Sequence, residues 1–240
     1  MRRLFGLFWF LVLSACAIGP VPQVQRQPVP VPVLGASGRV PAEIAARNFV
    51  FVVAAMEPVV ERECFQRNPG VGCDFQIVVD DRPGQPPNAF QTLDQAGRPI
   101  IAFTLALIGE ARNVNELAFI MGHEASHHIL AHIPKTEESA IMGALVMGAL
   151  ASLGGGSQAS VQAAQQMGAD VGARRFSKGF ELEADQLGTV IAFDAGFDPE
   201  QGAGFFDRLP DPGNTFLGTH PPNADRIQMV RQTLLQIRGY

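Results

Sequence analysis

Two histidines and a glutamate occur at a spacing that could activate water. Residues 123–127 read His-Glu-Ala-Ser-His, and in a helix this spacing puts His123 and His127 one turn apart with Glu124 beside them. Two neutral imidazoles on one helix face can bind Zn²⁺, and a neighbouring carboxylate can accept a proton from the water that the metal activates. The spacing therefore predicts a zinc hydrolase centre; a pair of buried structural histidines is the alternative.

A hydrolytic zinc site also needs a third protein ligand and one open position. Glu181 and Asp185 are four residues apart, hence on one helix face, which suits a carboxylate ligand followed by a carboxylate that holds an imidazole ring. We expect Glu181 to bind the metal and Asp185 to orient a histidine, while Glu183 points away into solvent. We expect His132, five residues after His127, to miss the ligand face and to cap or pack the helix end.

Negative charge that develops on a substrate carbonyl needs a hydrogen-bond donor. Tyrosine or histidine supplies it in many zinc peptidases, but Tyr240 is the sole tyrosine and stands at the end of the chain. His220 and Arg226 are therefore the candidates. The alternative for His220 is a structural role at the start of a helix, because a proline follows it.

The first sixteen residues predict export and lipid attachment. Two arginines precede an apolar stretch over residues 4–13, which is typical of a secretory signal and too short to span a bilayer. Leu-Ser-Ala-Cys at 13–16 resembles the bacterial lipobox, in which the cysteine becomes the acylated N-terminus. We expect a signal peptide over residues 1–15 and a lipid anchor at Cys16, with an unmodified Cys16 as the alternative. An aspartate directly after the lipidated cysteine often retains such lipoproteins at the inner membrane. This chain has Ala17 there, which favours the outer membrane, with the protein facing the periplasm.

Residues 16–41 should form an extended tether rather than pack a core, because prolines stand at positions 20, 22, 28, 30, 32 and 41. The composition becomes globular from residue 42, so residues 42–240 are expected to form one catalytic domain. The net charge of −5 and the lack of a basic run exclude nucleic acid as a partner.

Cys64 and Cys73 form an even pair once Cys16 is assigned to the anchor. They flank Asn68-Pro69-Gly70, a turn-forming sequence, and an oxidising compartment favours cystine. A disulfide is the simple inference. A metal-binding pair is the alternative, although eight intervening residues are unusual for zinc.

Hydrophobic periodicity and capping residues indicate a mostly helical α+β domain with a small sheet. Asn113, with Glu116 three residues later, predicts the start of the helix that carries the two histidines, and Pro134 its end. The apolar run Ala140–Leu153 is a closely packed helix or, alternatively, an element that dips into a membrane or covers substrate. The further predicted elements are a helix from Ala42 that stops near Pro58, strands at 75–79 and 99–104, and helices at about 179–195 and from Pro222 to Arg238.

These motifs together resemble the HtpX and CAAX-prenyl-endopeptidase type of gluzincin zinc metallopeptidases, over about residues 88–237. The resemblance implies a zincin-like fold in which the edge strand of a small sheet lines the active-site cleft. It also implies zinc ligation by His123, His127 and Glu181, with Glu124 as general base and acid and Asp185 orienting a histidine. The matching segments are Asn88–Phe90, Ile100–Thr104, Asn115–Leu117, Gly122–His128, Phe180–Gly188, Ala195–Pro199, and Thr219–Pro221 with Arg226.

The same resemblance implies a biological role. Periplasmic relatives degrade misassembled outer-membrane proteins and associate with the barrel-assembly machinery, so unfolded or misassembled envelope proteins are the expected substrates and one Zn²⁺ per chain the expected cofactor. Relatives place the histidine matching His220 close to the metal, where it would inhibit as a fourth ligand. The different-class alternative is a chaperone-like periplasmic lipoprotein that uses zinc structurally. We expect substrate to add as a strand along Ile100, Ile101, Ala102, Phe103 and Thr104.

Overall fold

The computed structural model describes residues 40–175, 177–211 and 221–239, which build a helical body against a three-stranded sheet. This confirms the expected α+β, mostly helical class. The predicted signal peptide, Cys16, most of the tether and His220 lie outside the described residues. In chain order the elements are α1 (Ala42–Arg67), β1 (Gln76–Asp80), β2 (Ala89–Leu93), β3 (Pro99–Thr104), α2 (Leu105–Glu110), α3 (Val114–Ile129), α4 (His132–Leu153), α5 (Gln158–Arg175), α6 (Ser177–Asp194), α7 (Pro199–Ala203), a 3₁₀ turn (Phe206–Arg208) and α8 (Asn223–Arg238).

The first helix does not stop at Pro58, as predicted, but continues through it to Arg67. Proline inside a helix removes one hydrogen bond and costs about 3 kcal/mol. Beyond the proline, Val59, Val60 and Cys64 are buried in the core. Burial of such side chains contributes about 1.5–3 kcal/mol each, which outweighs the cost of the proline.

Strand β3 lies in the middle of the sheet, parallel to β1 and antiparallel to β2. The prediction of a strand at 99–104 is confirmed, but its use as the edge on which substrate adds is wrong, because both of its sides are already paired. Its sequence agrees with a central position, since Ile101, Ala102, Phe103 and Thr104 are all buried. The edge strand nearest the candidate site is β2, which the sequence analysis did not identify as a strand.

Helix α3 is the central element of the body and begins at the predicted cap. The Asn113 side chain accepts a hydrogen bond of 3.0 Å from the backbone N–H of Glu116. The Glu116 carboxylate accepts from the Arg112 backbone at 2.8 Å and from both Arg208 Nη atoms at 2.7 Å. These bonds fix the start of α3, and nearly all of its side chains are buried against α1, α6 and α7.

Helices α3 and α6 cross at two glycines, Gly122 and Gly188. A Cβ added to Gly122 would lie 2.8 Å from the Gly188 carbonyl oxygen, and a Cβ added to Gly188 would lie 2.8 Å from the His123 backbone nitrogen. Only hydrogen fits at either position. The two backbones therefore approach closely one residue before His123 and three residues after Asp185.

Cys64 and Cys73 are joined by a disulfide that closes the turn after α1. The end of α3 is tied to the same turn. His128 Nε2 donates a 2.7 Å hydrogen bond to the Gly72 carbonyl, and Asn68 Nδ2 donates a 3.0 Å bond to the Ile129 carbonyl. His128 thus points away from the ligand face of α3, towards the disulfide turn.

Helices α4 and α5 form a hairpin that packs mainly on itself. Its arms meet at Gly143 and Gly168, where a Cβ on either residue would collide with the backbone of the other. The hairpin exposes many large apolar side chains, most of them on α4. No helix within the described residues is both long and apolar enough to cross a membrane. The exposed large apolar residues of the hairpin are Ile133, Ile141, Met142, Leu145, Val146, Leu150, Leu153, Met167 and Val171.

Candidate metal centre

Three side chains from two helices converge on one point beside the sheet. Nε2 of His123 and Nε2 of His127 are 3.1 Å apart, as the one-turn spacing on α3 predicts. The Glu181 carboxylate on α6 completes the group: its Oε2 lies 3.6 Å from Nε2 of His123, and its Oε1 lies 3.6 Å from Nε2 of His127. The three donor atoms lie within 4.8 Å of one another and could hold one metal ion.

The donor set fits a catalytic zinc site. Two imidazole nitrogens and one carboxylate oxygen are a known zinc ligand set, and three protein ligands leave a coordination position open. Burial, and the nearby charge of His123, lower the pKa of His127 to about 3. His127 is therefore a neutral imidazole at physiological pH, which is the form that binds metal.

Glu124 lies beside these ligands and lines a cleft of about 540 Å³. Burial raises the pKa of its carboxyl to about 7, partly against the charge of His123, while the Glu181 carboxylate raises it further. A hydrogen bond from the Gln91 backbone in β2 acts in the opposite direction. A group with a pKa near 7 can both accept and return a proton, and a divalent cation beside it would favour the ionised form.

His123 is held from behind by a buried ion pair. Its Nδ1 lies 2.9 Å from Oδ1 of Asp185, whose side chain is 0% exposed. Arg226 from α8 donates to both oxygens of Asp185 at 2.7 Å and lies over the Phe206 ring at 3.9 Å. Burial has the largest effect and opposes protonation of His123, but the Asp185 hydrogen bond and the negative charges of Asp185 and Glu181 together outweigh it, so the pKa of His123 is raised.

His127 is held from behind by a different pair, which the sequence analysis missed. Nδ1 of His132 is 3.0 Å from Nδ1 of His127, and Nε2 of His132 is 3.2 Å from the Glu183 carboxylate. Ala131, with φ of 54°, adopts the left-handed conformation between α3 and α4. This turn brings His132 back against the ring of His127. Glu183 was expected to be solvated, and it is half exposed, yet one oxygen reaches His132.

Arg226 lies next to the candidate ligands and binds Asp185. The Nε and Nη2 atoms of Arg226 are occupied by Asp185, and Nη2 is also 3.5 Å from the Glu181 carboxylate. Arg226 does line the cleft. Its role as oxyanion donor stays a prediction, as do both roles of His220, which lies outside the described residues.

Strand β2 forms one wall of the cleft. Asn88, Ala89, Phe90 and Gln91 line it, as do Phe205 and Phe206 just after α7. A second, smaller pocket of about 210 Å³ is lined by His127 and Gln91 as well. Gln91 of the edge strand thus lines both pockets, as does the candidate ligand His127.

A helix that carries His-Glu-x-x-His, a glutamate on a second helix that faces the same point and an edge strand along the cleft are typical of metal-dependent peptidases. Comparison with known families agrees, since the family model described as "Peptidase family M48" matches residues 54–234. The chain belongs to peptidase family M48, a family of metallopeptidases.

Individual relatives are more distant. The chain is similar to a "Beta-barrel assembly-enhancing protease" of Yersinia pestis, with 29% identity over 148 residues, which cover 56% of this chain and 30% of that protein. It is also similar to a "Mitochondrial metalloendopeptidase OMA1" of Arabidopsis thaliana, with 26% identity over 165 residues, which cover 67% of this chain and 32% of that protein. A "Putative beta-barrel assembly-enhancing protease" of Vibrio cholerae is 29% identical over 154 residues, which cover 57% of this chain and 31% of that protein. The chain thus spans about a third of the length of these relatives.

Proposed function

We propose that the protein is a zinc-dependent endopeptidase that binds one Zn²⁺ per chain through His123, His127 and Glu181. The observation that carries the proposal is the convergence of these three side chains next to Glu124, a carboxylate that lines the same cleft and can accept and return a proton. Zn²⁺ in such a site supplies Lewis acidity, which activates water and polarises a carbonyl group.

The side chains around the site divide the remaining work. Glu124 accepts a proton from the attacking water and returns it to the leaving amine. Asp185 holds Nδ1 of His123 at 2.9 Å, so that Nε2 of this ring faces the donor cluster. Arg226 keeps Asp185 in place with two hydrogen bonds. Arg226 and His220 remain the proposed oxyanion donors, and His220 is alternatively proposed as an inhibitory fourth ligand.

We propose that substrate binds as an extended strand along β2 rather than along β3. β2 pairs with β3 on one side only, and it lines the cleft next to Glu124. A peptide added to a sheet edge is held mainly through its backbone, which demands little of its sequence but requires that it be unfolded. Broad cleavage of unfolded chains is therefore expected.

The proposed biological role follows from the relatives rather than from the site. Two of them are named for enhancing β-barrel assembly. We therefore propose that the protein removes unfolded or misassembled envelope proteins, as a periplasmic lipoprotein that is anchored through Cys16 in the outer membrane and contacts the barrel-assembly machinery. In this proposal residues 1–15 are the signal peptide, residues 16–41 the tether and residues 42–240 the peptidase domain.

The decisive experiment compares the wild-type protein with Glu124→Gln, which keeps the shape of the side chain but cannot accept a proton. Both should bind about one zinc per chain, and only the wild type should cleave a chemically unfolded substrate, with a chelator abolishing cleavage. The folded form of the same substrate should be spared. Cleavage by Glu124→Gln at the wild-type rate would refute the proposed chemistry, and equal cleavage of both substrate forms would refute binding along β2.

A second candidate function is chaperone-like binding of unfolded proteins, with zinc in a structural role. The exposed apolar surface of α4, which includes Leu145, Leu150 and Leu153, is the observation that favours it. Restoration of a deletion strain distinguishes the two functions. If Glu124→Gln restored every cellular defect, binding rather than proteolysis would be the function.

A further inference from the structure

We propose that His132 and Glu183 are positioning residues that fix the tautomer and orientation of the metal ligand His127. This inference rests on the proposed zinc site and extends it to two side chains outside the predicted set. The ring nitrogens of His127 and His132 face each other at 3.0 Å, and the far nitrogen of His132 faces Glu183 at 3.2 Å.

The directions of these hydrogen bonds follow from the ligand role of His127. Its Nε2 lies in the donor cluster and must offer a lone pair, so its proton resides on Nδ1. This Nδ1–H can only donate to Nδ1 of His132, which must then accept. His132 consequently carries its own proton on Nε2 and donates it to the Glu183 carboxylate. One carboxylate thus determines the tautomers of both rings.

The position of His132 is itself fixed by packing. Its side chain is 3% exposed and stacks on the Phe180 ring, with ring centroids 4.4 Å apart and planes at 11°. Phe180 and Glu183 both belong to α6, the helix that also supplies Glu181. Helix α6 therefore contributes one ligand directly and supports a second through His132.

The two histidine ligands are supported in different ways. His123 faces Asp185, a fully buried carboxylate that Arg226 holds on both oxygens. His127 faces a neutral imidazole whose own partner, Glu183, has a side chain that is 53% exposed. A hydrogen bond to a neutral imidazole is weaker than one to a buried carboxylate. Loss of the acceptor atom of His132 should therefore leave His127 poorly oriented.

Two substitutions of His132 separate hydrogen bonding from packing. His132→Phe retains an aromatic ring that can stack on Phe180 but offers no acceptor to His127. His132→Asn loses the stacking but places an amide oxygen near the position of Nδ1. Glu183→Leu removes the carboxylate from a half-exposed position, where folding is not at risk. Glu137→Gln, an exposed change on α4, is the matched control.

Zinc affinity of the purified full chain, measured by competition with a chromophoric chelator, gives a readout that does not depend on proteolysis. We expect His132→Phe to weaken zinc binding by about 10–100-fold, because losing the partner of a metal ligand typically costs this much. His132→Asn should stay within about 3-fold of wild type, Glu183→Leu should weaken binding, and Glu137→Gln should not. The visible spectrum of the cobalt-substituted protein should change in His132→Phe and not in His132→Asn.

Two results would overturn the inference while leaving the zinc site intact. Wild-type affinity in both His132→Phe and Glu183→Leu would mean that neither residue supports His127. A loss of affinity in His132→Asn together with wild-type affinity in His132→Phe would mean that packing on Phe180, not the acceptor atom, is what matters. A wild-type protein that binds no zinc would instead refute the proposed metal centre, and the inference with it.

Discussion

Replacing Gly188 with alanine should loosen the metal centre although this residue contacts no ligand side chain. Gly188 lies on α6 where it crosses α3, and an added Cβ would be 2.8 Å from the His123 backbone nitrogen and 3.0 Å from its Cα. These atoms belong to the backbone of a buried helix, so a side-chain rotation cannot relieve the contact. The two helices must move apart.

The size of the movement can be worked out from the contact. Non-bonded heavy atoms rest at about 3.5 Å, so the helices must separate locally by about 0.7 Å. The hydrogen bond between His123 and Asp185, now 2.9 Å, would lengthen to about 3.6 Å, which is no longer a hydrogen bond. Overpacking costs about 1–3 kcal/mol, and the gain from replacing a helical glycine offsets up to about 1 kcal/mol of it. Metal affinity should fall about 10–100-fold.

Chelator competition and thermal unfolding measure the two effects in the same preparation. Gly179→Ala is the matched control, because Gly179 lies on the same helix and an added Cβ there would meet no atom within 4 Å. The control should bind zinc like the wild type and unfold at the same or a slightly higher temperature. Wild-type zinc affinity in Gly188→Ala would show that the crossing tolerates a methyl group and would refute the reasoning.

Two further predictions concern stability. Arg226→Met should lower the free energy of unfolding by about 3–5 kcal/mol, because it leaves the fully buried Asp185 without its cation; urea denaturation measures this, and a loss below about 1 kcal/mol would contradict the role of the ion pair. Reduction of the Cys64–Cys73 disulfide, which joins residues nine positions apart, should lower the free energy of unfolding by about 2–3 kcal/mol. A double serine variant should show this lower stability with and without reductant, and any further loss on reduction would point to another cause.

Local sequence rules predicted the parts of the site that depend on helical spacing. His123, Glu124 and His127 lie on one helix, and Glu181 lies one turn before Asp185 on another, because α-helical geometry alone sets these relations. The cap at Asn113 is likewise local, since it depends on a side chain and a backbone N–H three residues apart.

The features that sequence did not predict depend on contacts between distant segments. The order of the strands follows from which edges meet. The apolar residues of β3 agree with a buried strand, but they do not show which strands pair with it on either side. The contact between His132 and His127 requires the left-handed turn at Ala131, a conformation that alanine seldom adopts. The partnership of His132 with Glu183 requires in addition that α6 pack beside the start of α4.

The hairpin of α4 and α5 has a consequence for how the candidate metal ligands are brought together. His127 and Glu181 are far apart in sequence, and a flexible loop between them would oppose their meeting through its entropy. The hairpin replaces that loop with two arms locked at Gly143 and Gly168, so that the chain leaves α3 and returns to α6 nearby. The chain between the candidate ligands is thus an ordered hairpin rather than a flexible loop, and its two ends are held beside the site.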